Sequence, residues 1–173
     1  MANQFRHGLL AAIAVALGLP VGSAAAEDSR GRMRAHLSGF GEVPAVSTTG
    51  RGELRLRFED DDVRGEVTSI EYTLSYEDLE GTITEAAHIH LGQPGVNGGV
   101  SVFLCGGGSA PPCPPIEGTV SGTILAADVV GPTGQGIAPG EFEELVAAMR
   151  SRVTYVNVHT DKHPGGEIRG AIR

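Results

Sequence analysis

The stretch Gly52-Glu-Leu-Arg-Leu-Arg-Phe58, followed beyond an acidic run by Ser69-Ile-Glu-Tyr-Thr-Leu-Ser-Tyr76, decides the fold class. In the first, Leu54, Leu56 and Phe58 alternate with Glu53, Arg55 and Arg57; in the second, Ile70, Tyr72, Leu74 and Tyr76 share one parity. A period of two belongs to a strand with one buried and one wet face. The acidic run Glu59-Asp60-Asp61-Asp62 lacks the alternating ligands and the glycine of an EF-hand loop. It is therefore expected as a solvated hairpin turn, and the two strands as neighbours in a meander.

Working outward, further strands are expected at Met33–Leu37, Thr82–Leu91, Val100–Leu104, Thr119–Leu125, Val153–Thr160 and Glu167–Ile172, about eight in all. The glycines of Gly92-Gln-Pro-Gly-Val-Asn-Gly-Gly99 do not form a phosphate cradle, because no helix follows and Asn97-Gly98 is a hairpin signal. One helix is expected from about Glu141 to Arg150, where Phe142, Leu145, Val146 and Met149 fall at helical spacing. Many short strands, 26 Gly and 10 Pro predict an all-β antiparallel Greek-key β-sandwich with one short helix. A partly open β-barrel is the alternative, since strand counting does not say whether the edges close.

The chain has 173 residues, of which 40% are hydrophobic, enough to bury a core. With 13 Lys+Arg against 21 Asp+Glu the formal net charge is −8, which argues against nucleic acid or an anionic membrane as the main partner. Residues 1–26 have the pattern of an export signal: Arg6 and His7, an apolar run from Gly8 to Leu19, Pro20-Val21-Gly22, then Ser23-Ala24-Ala25-Ala26. Cleavage after Ala26 is expected, leaving a flexible lead over 27–32, a single domain over 33–173, and no membrane attachment. A periplasmic or secreted location follows. In such an oxidising compartment Cys105 and Cys113 are expected to form a disulfide, closing a short loop and stabilising the fold by about 2–3 kcal/mol. Their spacing is wider than that of a thiolate metal site.

The chemistry concentrates in histidines. In Ala86-Ala-His-Ile-His-Leu91 the imidazoles of His88 and His90 project from the face opposite Ile89 and Leu91. In Tyr155-Val-Asn-Val-His-Thr-Asp-Lys-His163, His159 shares its parity with Tyr155 and Asn157, and His163 follows just past the strand end. If the two strands are neighbours, His88, His90, His159 and His163 form a candidate site for copper or zinc, both of which accept neutral imidazole nitrogen. Asn157, Glu167 and Arg169 are the candidate supporting groups behind it. The competing structural reading is a buried network in which these side chains satisfy one another or the backbone, with Glu167 and Arg169 as an ion pair. No serine sits in a nucleophile-elbow context and no acid/base constellation is recognisable, so the chain is not expected to be an enzyme.

Three blocks carry a family resemblance: Leu37-Ser-Gly-Phe-Gly-Glu-Val-Pro-Ala-Val46, Ala87-His-Ile-His-Leu-Gly-Gln-Pro-Gly-Val-Asn-Gly98, and Tyr155-Val-Asn-Val-His-Thr160 with Pro164-Gly-Gly-Glu-Ile-Arg-Gly170. In this order they resemble the CHRD domain, named after chordin, from about Met33 to Arg173. That domain occurs in chordin, an extracellular antagonist of bone morphogenetic proteins, and stands alone in exported bacterial proteins. The resemblance implies an extracytoplasmic β-domain and no reaction. It carries the motif histidines over to His88, His90 and His159, whereas His163 stands where many members have another residue; the Cys105–Cys113 loop belongs to a subset. The expectation is an exported CHRD-like binding module of open role, meeting an extracytoplasmic protein or a metal ion. The alternative is a periplasmic copper or zinc protein with a redox or metal-handling task; no other cofactor is expected.

Overall fold

The structure, a computed structural model, describes residues 31–60, 66–83 and 86–173. The expected export signal, most of the lead, Asp61 and Asp62 lie outside the described residues. Among the described residues eight strands form: β1 (Arg32–Ser38), β2 (Arg51–Asp60), β3 (Val67–Glu77), β4 (Ala87–Leu91), β5 (Val100–Cys105), β6 (Gly118–Ile124), β7 (Thr154–Val158) and β8 (Ile168–Ala171). The helix α1 (Phe142–Arg150) lies between β6 and β7.

All strands pair antiparallel in one sheet of order β5-β4-β7-β8-β1-β2-β3-β6. The sheet curls until its two edge strands, β5 and β6, come into contact. The all-β antiparallel expectation is met, and of the two architectures the partly open barrel is the one formed: a single rolled sheet replaces two separately bonded layers. The physical reason is the seam. Tyr72 on β3 reaches past Gly122 on β6 and donates a 2.7 Å hydrogen bond to the carbonyl of Leu104 on β5. A Cβ on Gly122 would stand 2.6 Å from the Tyr72 hydroxyl, so only glycine leaves that path open. Tyr76 makes a parallel reach to the Pro114 carbonyl at 2.6 Å, beyond the disulfide that joins Cys105 to Cys113.

The barrel interior holds the alternating residues read from sequence, including Leu54, Leu56, Ile70, Leu74, Ile89, Val156 and Val158, all buried. Helix α1 adds Phe142, Leu145, Val146 and Met149 to this core. Glu143 and Glu144 in its first turn and Arg150 in its last complement the helix dipole. β4 begins at Ala87, so the expected strand from Thr82 starts later; Thr82 and Ile83 belong to the connecting loop.

That loop is held by a buried carboxylate. Glu167, fully shielded from solvent, accepts hydrogen bonds from Thr48 Oγ1 (2.7 Å), Thr160 Oγ1 (2.8 Å) and the backbone N–H groups of Glu80 (2.7 Å) and Gly81 (3.2 Å). Three separate connections are thereby tied to the start of β8. A buried charge needs such a full set of donors.

Candidate metal centre on the outer sheet face

β4 pairs with β5 on one side and β7 on the other, and β7 pairs with β8. The register sets Phe103, His88, Asn157, Arg169 and Ser38 in one row across β5, β4, β7, β8 and β1. On the next rung His90 faces Tyr155. Because Ile89 and Val156 point into the barrel, this row lies on its outside. Yet His88 and His90 are only 8% and 7% exposed. The loops supply the cover: Arg169 donates to the Asn97 side chain (2.8 Å) and the Val96 carbonyl (2.7 Å), and Asn97 donates to the Val43 carbonyl (2.9 Å).

One ring nitrogen from each of His88, His90 and His159 lies within 4.8 Å of the others. The rings meet largely edge-on: His88 is 5.0 Å from His159 and 5.4 Å from His90, centroid to centroid. His159 stands one residue past the end of β7, but its backbone N–H still bonds the Ala86 carbonyl at 3.2 Å and continues the pairing.

The hydrogen bonds fix which nitrogens carry protons. His90 Nδ1 lies 3.0 Å from the Gly98 carbonyl and His159 Nδ1 lies 2.9 Å from the Pro164 carbonyl. A carbonyl only accepts, so both Nδ1 atoms are protonated and, in a neutral ring, His90 Nε2 presents a bare lone pair. His90 Nε2 and His88 Nδ1 are buried without any partner. His159 Nε2 is hydrogen-bonded to the Asn157 side-chain amide at 3.1 Å. Burial holds the His88 imidazole down to about 3, with repulsion from His159 and His90 adding to it, and burial likewise lowers His90. Neutral imidazole is the ligating form.

The set fits a transition metal. A tetrahedral ion with metal–nitrogen bonds of about 2.0–2.1 Å places its ligand atoms roughly 3.4 Å apart, so the longest edge needs to close by about 1.4 Å, within the reach of small side-chain rotations. Backbone carbonyls holding the far ring nitrogens are the usual support for imidazole ligands.

His163 does not join the three; its Nε2 is buried without a partner elsewhere in the turn. Glu167 is occupied by the loops it anchors and orients no imidazole. It forms no ion pair with Arg169, whose guanidinium goes to Asn97 and Val96 instead. Arg169 supports the site through aromatic stacking: its guanidinium lies 3.3 Å over the Tyr155 ring, and Tyr155 stacks on His90 at 4.7 Å with a 3° tilt. Asn157 sits between His159 and Glu42.

Glu42 and Tyr155 are the neighbours that sequence reasoning missed. Glu42 is 6% exposed, and burial pushes its carboxyl up to about 7 against the pull of Arg169 and Asn157. Its only signal was its place in the Gly-Phe-Gly-Glu-Val-Pro block. Tyr155 was visible through its shared parity with Asn157 and His159, but a period of two does not reveal a ring stack.

The family model of the CHRD domain matches residues 33–172. The chain belongs to the CHRD family. No curated protein and no solved structure gives a match. Every residue of the imidazole trio and its support falls within the CHRD match, and the blocks that carried the resemblance are the ones the fold brings together. Glu42 comes from the first block, His88, His90 and Asn97 from the second, and Asn157, His159 and Arg169 from the third.

Proposed function

We propose that this CHRD domain is an extracytoplasmic binding module that holds one copper(II) or zinc(II) ion on His88, His90 and His159 and catalyses no reaction. The observation that carries the proposal is the convergence of three imidazoles, two of them with a buried ring nitrogen that has no hydrogen-bond partner and two held through Nδ1 by backbone carbonyls. A purely structural network accounts for those two carbonyl bonds but leaves the buried ring nitrogens His90 Nε2 and His88 Nδ1 without a partner, an expensive arrangement. Three protein ligands leave a fourth position for water or a group from outside, which suits capture and transfer of the ion.

The extracytoplasmic part of the proposal rests on the export pattern of residues 1–26 and on the Cys105–Cys113 disulfide. The non-enzymatic part rests on the hydroxyls. Ser109 is engaged by Asp128 and Ser121 by Thr73, while Ser101 is buried without a partner, and none is hydrogen-bonded to an imidazole.

The test is metal content and calorimetric titration of the chain purified without a histidine tag. About one equivalent of copper or zinc is expected, lost in His88→Ala, His90→Ala and His159→Ala and retained in His163→Ala. Folded wild-type protein that takes up neither ion, or loss in His163→Ala equal to that in the other three, overturns the assignment.

A further inference from the structure

The three imidazoles of the metal centre supply no counter-charge. A divalent ion held by neutral rings adds two positive charges to a covered site, and Arg169, itself buried, already brings another. The Arg169 guanidinium bonds the neutral Asn97 side chain and the Val96 carbonyl and lies over the Tyr155 ring; among the described residues it forms no ion pair. Uncompensated charge in such a place is expensive.

Among the described residues two carboxyls are buried, Glu167 and Glu42. Glu167 is saturated by the donors of the loops it ties down. Glu42 is not, because its Oε1 has no hydrogen-bond partner. It faces Arg169 of β8 and the Asn157 side chain of β7, and behind Asn157 stand His159 and His90. Gly166, at φ 120°, makes room for the carboxyl: a Cβ there would stand 2.3 Å from Glu42 Oε1 and 2.8 Å from Asn157 Nδ2. The turn before Gly166 carries Asp161, Lys162 and His163; Lys162 pairs with Glu80 and Asp161 accepts from the Thr82 N–H. The covering loop 92–99 has no titratable side chain. Glu42 is not among the three groups whose ligand atoms converge, so it acts from behind them. A carboxyl held this way weakens the metal-free fold near neutral pH, so folding does not account for it.

We propose that Glu42 is the charge-compensating residue of this centre: as a carboxylate it offsets the incoming divalent cation and, through Asn157, positions His159. This rests on the metal assignment above and adds the residue that tunes it. In the metal-free protein, burial pushes the Glu42 carboxyl up to about 7, against the pull of Arg169 and Asn157. A dication nearby favours the ionised form. The carboxyl O–H bond then breaks, its electron pair stays on the oxygen and the proton passes to water, so the site gains one net positive charge instead of two. Glu42 is thus a positioning residue and not a ligand.

The test is chelator-competition titration of the full chain with zinc(II) and copper(II) in turn, at pH 6, 7 and 8, for wild type, Glu42→Gln and Glu143→Gln. At pH 8 wild type should bind more tightly than Glu42→Gln by about tenfold or more, the loss expected when a carboxylate facing a buried dication is neutralised. That advantage should shrink about tenfold by pH 6, where the ion has a Glu42 proton to displace. The imidazoles are common to both proteins and drop out of the ratio. Glu143→Gln, an equal charge change on the exposed face of α1, should track wild type. Metal-free Glu42→Gln should melt no lower than wild type at pH 8. A ratio of wild type to Glu42→Gln that is constant across the three pH values, an equal loss in Glu143→Gln, or a lowered melting temperature of Glu42→Gln overturns the role of Glu42 and leaves the metal centre standing. Wild type that takes up neither ion overturns both.

Discussion

Replacing Glu42 by Gln should change how the metal-free protein responds to pH, and the two buried groups beside the metal centre give the size of the effect. His88 titrates at about 3 in the fold against 6.5 ordinarily, so between these values the unfolded chain binds a proton that the folded chain refuses. Its contribution to stability is complete above pH 6.5 and is lost as pH falls, by about 1.4 kcal/mol per pH unit. Glu42 works in the opposite sense. Its carboxyl titrates at about 7 in the fold against 4.5 ordinarily, so the folded chain keeps a proton the unfolded chain releases. That contribution is complete below pH 4.5 and is lost as pH rises to about 7. Between pH 4.5 and 6.5 the two slopes cancel, with His90, also lowered by burial, adding a smaller term of the His88 sign.

Gln mimics the protonated carboxyl at every pH. Glu42→Gln should therefore match wild type near pH 4.5 and exceed it by up to about 2.7 kcal/mol at pH 6.5, the product of two pH units and the slope above. Urea denaturation in the presence of a chelator at pH 4.5, 5.5 and 6.5 measures this directly. A difference between variant and wild type that stays constant across the three pH values would refute the reasoning, because the Glu42 proton would then not be retained on folding.

Glu167→Ala strips the acceptor from two hydroxyls and two backbone N–H groups at once and should cost about 3–5 kcal/mol, read as a loss of denaturation midpoint at pH 7. A cost under about 1 kcal/mol would mean that the three loops do not depend on that carboxylate. Tyr72→Phe keeps the ring and deletes only the 2.7 Å bond across the barrel seam. It should cost about 1–2 kcal/mol and accelerate amide exchange in β5 and β6 more than in β1 and β2; uniform acceleration would count against the seam argument.

The strands and the buried set were legible because burial of one sheet face imposes a parity that does not depend on what lies next door. Leu54, Ile70 and Val156 had to be buried once their alternation was seen, and His88 with His90 had to share the opposite face. Closure was not legible, since it depends on Tyr72 finding a carbonyl one strand beyond its neighbour with glycine clearing the way. The role of Glu167 was illegible for a similar reason: its four donors come from segments up to 119 residues away, and sequence offered only its nearness to Arg169.

Sequence by itself determined the strand class, the inward residues, the disulfide partners and the two histidine-bearing segments, because each of these rests on chemistry repeated over a few consecutive residues. Tertiary structure alone decided that β4 lies against β7 and that His159 rather than His163 meets His88 and His90. Those are outcomes of register between distant segments. A residue's periodicity says which way its side chain points, but only the hydrogen-bonded neighbour says what it points beside.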